Sequence, residues 1–151
     1  MLNPDYKDML AALCEEKADF LIVGAYALAV YGLPRATGDI DLFVGMGAEN
    51  SKKVYQALKR FGAPLSEIQP ETFTQPGVIF QIGLPPNRID LLTSIDGISF
   101  ADAWPRRNRT DVEGLSLSVI SMEDLILNKS STGRPKDKLD VEWLKARQKE
   151  H

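Results

Sequence analysis

The stretch Asp39-Ile40-Asp41-Leu42-Phe43-Val44 constrains the fold more than any other part of the chain. Its acidic side chains at 39 and 41 alternate with apolar ones at 40, 42 and 44, the period of a β-strand. Ile40, Leu42 and Val44 then enter a core, and the two carboxylates share the opposite face. At ~3.3 Å of rise per residue their Cα atoms are about 6–7 Å apart. Flexible carboxylates at that spacing converge on one or two cations, with ligand distances near ~2.1 Å. Left without a cation, each raises the pKa of the other, and a divalent ion removes that cost. Oxygen-only ligands suit magnesium or manganese rather than zinc. A solvated strand face explains an isolated Asp-x-Asp equally well, so the surroundings decide.

Those surroundings mix helices and strands. Asn3 is a good N-cap with Pro4 behind it, and Met9, Leu10 and Leu13 recur at helical spacing. A strand follows at Phe20 to Val23, then an alanine-rich helix from Ala25 to Tyr31 that Gly32-Leu33-Pro34 stops. Ser51 to Phe61 reads as a helix closed by Gly62. Val78 to Ile82 and Arg88 to Leu92 read as strands joined by a hairpin loop, and Leu115 to Val119 as another strand. Helices from Met122 to about Ser130, capped by Ser121, and from Lys136 to about Lys149 close the chain around Gly133-Arg134-Pro135. The pattern predicts a single α+β (or α/β) domain over residues 1–151, its mixed sheet flanked by helices and the C-terminal helices 122–149 packed on it.

Composition narrows the class. With 44% hydrophobic and 26% charged residues, the chain can build a core without disulfides. Cys14 is alone and suits a reducing compartment. No apolar run approaches the roughly 20 residues of a membrane span, and no signal-peptide pattern opens the sequence. The expectation is a cytoplasmic protein with no membrane partner. A net charge of −3 argues against holding nucleic acid through the whole surface. The one histidine, His151, stands at the chain end, which removes Ser/His, Cys/His and histidine-based ribonuclease chemistry.

Two further features flank the acidic pair. Gly24 ends an apolar strand and opens a helix, where exposed amides and the helix dipole favour phosphate oxygens. A glycine that merely ends a strand is the plainer account. Asp90, in Arg88-Ile89-Asp90-Leu91-Leu92, can complete a three-carboxylate cluster if its strand pairs with that of Asp39 and Asp41, about 4.8 Å away. Asp90 paired with Arg88 is the alternative.

Val23-Gly24-Ala25, the later Asp39-Ile40-Asp41-Leu42 and a further strand carrying Asp90 together resemble the signature of the nucleotidyltransferase superfamily related to DNA polymerase beta. Tyr31 to Gly38, Ile120 to Leu125, Lys129, Gly133 to Asp137 and Asp140 resemble small prokaryotic members, including toxin components of abortive-infection systems. The resemblance spans about Asp19 to Leu144. It departs at Ala25, where the family usually has Gly or Ser and where only a backbone amide is left for a phosphate.

The resemblance implies the nucleotidyltransferase fold and transfer of a nucleoside monophosphate from a nucleoside triphosphate to a hydroxyl, with release of pyrophosphate. Asp39, Asp41 and Asp90 would be the catalytic, metal-holding residues, with Mg2+ or Mn2+ as cofactor. Gly24 and Ala25 would cradle phosphates, with Arg35, Thr37 and Lys129 as further contacts. Lys129 read as a solvated helix-end lysine, and Arg35 as a surface salt bridge, stand beside that. Arg134, Lys136, Asp137 and Asp140 read as an ion-pair set packing the last two helices. Arg106-Arg107-Asn108-Arg109 beside Trp104 is a basic loop that can hold an RNA acceptor or simply be solvated. The acceptor is open between RNA, protein and a small molecule, and a cognate antitoxin or a second copy is an expected partner. A non-catalytic nucleotide-binding or regulatory module is the competing reading, favoured by Ala25 and opposed by three intact acids. A metal-dependent nuclease is a third.

Overall fold

In the computed structural model, which describes residues 2–33 and 38–150, six strands form one mixed sheet. The elements in chain order are α1 (Pro4–Glu15), β1 (Phe20–Val23), α2 (Gly24–Val30), β2 (Ile40–Val44), α3 (Ala48–Phe61), β3 (Ile79–Ile82) and β4 (Ile89–Leu92). Then come α4 (Phe100–Ala103), β5 (Asn108–Val112), β6 (Leu115–Val119), α5 (Met122–Ser131) and α6 (Pro135–Lys149). The sheet order is β3-β4-β2-β1-β6-β5. β2 runs parallel to β4 and β1 parallel to β6, and the remaining neighbours are antiparallel. The architecture is α+β, as the sequence predicts. No helix is long and apolar enough to cross a membrane among the described residues.

α1 forms where its caps and apolar face agree. The Asn3 side chain accepts from the Asp5 amide at 2.8 Å, and Met9, Leu10 and Leu13 are buried as their spacing requires. Burying each such side chain stabilises by about 1.5–3 kcal/mol. The same face carries Tyr6, which is 1% exposed, and α1 packs against α3. β1 and β2 are almost wholly buried, which fits the centre of a sheet covered by helices.

The structure moves several boundaries. α3 starts at Ala48, three residues before Ser51, with Gly47 as its cap. Ser51 lies inside the helix, where its buried hydroxyl donates to the Pro70 carbonyl at 2.8 Å and accepts from the Phe73 amide at 3.0 Å. Part of the expected basic loop is strand β5, paired with β6 from Asn108↔Val119 to Val112↔Leu115.

Candidate active site

β2 and β4 are the elements that assemble the acids. In their parallel pairing Asp41 lies directly opposite Asp90, and on the other side of β2 Asp41 lies opposite Val23, the last residue of β1. Residues in register on neighbouring strands face the same way, so Asp41 and Asp90 stand side by side. Asp39, expected to open the strand, lies just before it and reaches the same cleft beside Arg88. All three line one cleft of about 510 Å3, together with Gly24, Ala25, Lys129 and Lys136. Arg35 and Thr37 lie outside the described residues.

Gly24 is where it is because nothing larger fits. Its φ is +67°, and a Cβ placed there would meet Asp41 Oδ2 at 2.5 Å. The glycine therefore brings the start of α2 against the carboxylate, a backbone approach that other residues deny.

Arg88 supplies the only guanidinium in contact with the acids among the described residues. Its Nε donates to Asp90 Oδ1 at 2.7 Å and its Nη2 to Asp90 Oδ2 at 3.1 Å. Nη2 also lies 3.4 Å from Asp39 Oδ2, and the Arg88 amide donates to Asp39 Oδ1 at 3.0 Å. The pairing of Asp90 with Arg88, open in the sequence, is thus present, and Asp90 lines the cleft as well. Asp41 is left the least compensated of the three. Burial, then the charge and hydrogen bond of Asp90, then Asp39, push its carboxyl up to about 6 against the opposing charge of Arg88.

These residues fit a divalent cation by their chemistry. The donors are hard carboxylate oxygens, as magnesium and manganese require, and the raised Asp41 marks a place where positive charge is wanted. They are not a finished cage. No three His, Cys, Asp or Glu side chains among the described residues are grouped as a metal would need, and Arg88 holds two of the acids. Asp39, Asp41 and Asp90 are the residues that could hold a metal once Arg88 gives way.

Lys129 sits in the cleft wall but is not free to act as a point charge. Its Nζ is 3.0 Å from both Asp137 Oδ1 and Asp140 Oδ2, with all three side chains buried. Burial pushes Asp137 up, but hydrogen bonds from Thr132 and Lys129 and the charges of Lys129 and Arg134 outweigh it and hold the carboxyl below its ordinary range. Of the expected ion-pair set, Asp137, Asp140 and Arg134 do meet, around Lys129, which the set did not include, whereas Lys136 stands outside it. Arg134 Nε is 2.8 Å from Asp137 Oδ2. Lys136, on the first turn of α6, is exposed and lines the cleft.

Tyr6 supports the site without any mark in the sequence that says so. Its buried hydroxyl donates to the Gly38 carbonyl, and the Arg88 and Pro86 carbonyls lie 3.3 and 3.5 Å away. One side chain on α1 thus ties together the backbone just before Asp39 and the backbone entering β4. Burial, then Tyr26 and the three aspartates, push the phenol up to about 12, so it stays a donor. Its only signal is its place on the apolar face of α1, which reads as core. Tyr6→Phe is expected to cost about 1–3 kcal/mol, the penalty of unsatisfied buried carbonyls, by urea denaturation. Unchanged stability would remove Tyr6 from the support of the site.

Comparison with known proteins gives the fold and the family. The crystal structure of a protein from Thermotoga maritima named a putative nucleotidyltransferase (TM1012) superposes with a TM-score of 0.62, covering 97% of this chain and 96% of that one. At 16% identity the likeness is one of fold. No curated protein matches the sequence. Residues 6–147 match the family described as nucleotidyltransferase of unknown function (DUF6036), a span that holds all three aspartates, Gly24 and Lys129. The chain belongs to that nucleotidyltransferase family.

Proposed function

We propose that the protein is a metal-dependent nucleotidyltransferase that moves a nucleoside monophosphate from a nucleoside triphosphate to a hydroxyl acceptor. The observation that carries this reading is the registered pair Asp41 and Asp90 beside Gly24, with Asp39 lining the same cleft. Mg2+ or Mn2+ held by the three acids would stabilise the attacking and leaving oxygens of an in-line displacement.

The chain's own groups have distinct tasks on this reading. Asp39, Asp41 and Asp90 hold the cations, and Asp90 lies where it can also accept the proton of the attacking hydroxyl. The Gly24 and Ala25 amides face the phosphates at close range, since Gly24 carries no side chain to keep them off. Lys136, exposed on the cleft wall, adds a charge for the triphosphate. Arg88 must release Asp90 before a cation can take its place. The acceptor is an RNA, a protein or a small molecule, and a toxin of an abortive-infection or toxin–antitoxin pair, active in the cytoplasm, is the setting that the resemblance suggests.

The Arg88 contacts favour a second reading, a nucleotide-binding module without turnover, because they neutralise two acids from within. One experiment separates the two. Each α-labelled nucleoside triphosphate is incubated with Mg2+ or Mn2+ and with total RNA or total protein, the Asp39→Asn/Asp41→Asn variant alongside. Label transferred only by the native protein supports the enzyme. Metal-dependent triphosphate binding without transfer supports the module, and no binding at all sinks both.

A further inference from the structure

A second cleft, of about 530 Å3, lies at the other end of β1 and shares no lining residue with the first. Phe20 opens β1 in this groove, whereas Gly24 follows the end of β1 in the carboxylate cleft. Its walls come from the turn after α1, the segment before β5, and the β5–β6 hairpin. They bring Lys17, Arg107 and Arg109 together against one carboxylate, Asp19.

The two arginines differ from the other described arginines. Arg60, Arg88, Arg106, Arg134 and Arg147 each have a carboxylate within ion-pair distance. Arg107 and Arg109 have only neutral partners. Arg109 spans the hairpin and donates to Ser118 Oγ at 3.0 Å and Ser116 Oγ at 2.9 Å. Arg107 stacks over the Trp104 ring at 3.9 Å, donates to the Trp104 carbonyl at 2.9 Å, and has a buried Nε with no hydrogen-bond partner. Both guanidinium groups are thus held in place, oriented by serines and an indole, with no carboxylate neutralising their charge. A fork so fixed loses little freedom when it takes an anion.

We infer that this groove binds the phosphodiester backbone of single-stranded nucleic acid. Three cations from two chain segments, Lys17 on one and Arg107 and Arg109 on the other, suit successive phosphates of a strand better than one isolated anion. Base stacking on Trp104 does not contribute, since Phe100 stacks on the same ring at 5.3 Å and Arg107 also packs over it. Recognition then rests on backbone charge and is indifferent to sequence. The inference stands on the groove alone and needs no transfer reaction, so it can hold or fail independently of the proposed activity.

The test is fluorescence anisotropy of labelled oligouridylate and oligothymidylate on the full-length protein without nucleotide or metal, over a series of salt concentrations. Every phosphate that a variant no longer neutralises lowers the slope of log K against log salt by about 0.7 for a single strand. Arg107→Gln/Arg109→Gln should weaken binding at least tenfold and reduce the slope by about 1.4. Lys17→Gln, in an exposed turn where it cannot disturb the core, should reduce it by about 0.7. Arg60→Gln, paired elsewhere with Glu16, should change nothing. Binding of both oligomers with these reductions supports the groove, and a preference for one names the strand. Absent binding, binding unchanged in the double and Lys17 variants, or tighter capture of polyglutamate or tripolyphosphate than of either oligomer would overturn it.

Discussion

Asp41→Asn is expected to abolish transfer and, without metal, to make the protein more stable at neutral pH. The rate effect follows from the proposed cation site, where a bound metal contributes several kcal/mol of charge stabilisation. Loss of that much is on the order of a 10^3-fold drop or more. The stability effect has a separate origin. The Asp41 carboxyl is pushed up to about 6 from an ordinary 3.8, burial first and Asp90 second. Folding therefore disfavours its ionised form. No penalty exists below the ordinary value; it grows as pH rises through the window between the two and is complete above pH 6. A shift of about two units corresponds to about 2–3 kcal/mol. In a chain of this size that is roughly 5–10 °C in Tm. Thermal denaturation of native protein and variant at pH 4 and pH 7.5 reads the difference: small at the lower pH, with the variant higher at the upper. Mn2+ at pH 7.5 should then raise the native Tm and leave the variant unmoved. A variant that transfers at the native rate, or that Mn2+ stabilises as much as the native protein, would remove Asp41 from the metal site, whereas one that gains nothing at pH 7.5 would remove the burial penalty alone.

How much of this was legible in the sequence depends on what a residue's signal consists of. Asp39 and Asp41 are legible because strand alternation fixes a side chain's direction, whereas Gly24 alone reads as a plain strand end and gains meaning only beside them. Asp90 is legible as a strand residue, while its register opposite Asp41 is a property of pairing that no local pattern contains. β5 is hidden because Asn108-Arg109-Thr110-Asp111-Val112 sits at the sheet edge, mostly exposed, so no apolar alternation marks it. The clue to it is Glu113-Gly114, both at positive φ, a two-residue turn of the kind that joins antiparallel strands. The start of α3 reads three residues late because the apolar pattern begins only at Val54, while Ala48 to Ser51 carry no apolar period. Arg88 is legible only as a partner for Asp90 two residues on, while its hold on Asp39 and the carbonyls that Tyr6 joins lie far along the chain, where no local pattern shows them.

Lys129 shows the same limit and gives the largest structural effect. The sequence leaves it between a phosphate contact and a solvated helix end; it is neither as the chain stands. At 7% exposure it bridges Asp137 and Asp140, themselves 0% and 1% exposed. Lys129→Met removes the cation that two buried carboxylates share and leaves Asp137 to Thr132 and Arg134, a change that costs about 3–5 kcal/mol when one partner of a buried pair is removed. Against a total stability of about 5–15 kcal/mol this loosens or unfolds the α5–α6 pair, visible as a lower urea midpoint and a weaker helical signal. The aspartates, and no longer the lysine, are then the problem. Lys129→Met/Asp137→Asn/Asp140→Asn should recover most of the stability, because replacing a whole buried ionic group is often neutral. Failure of the triple variant to recover would mean that the lysine stem and the carboxylates matter for shape rather than charge. The refolded triple variant also settles what the lysine does in the cleft. Native KM for the triphosphate would make Lys129 a strut, whereas a KM raised tenfold with kcat unchanged would mean that it leaves its aspartates to reach a phosphate.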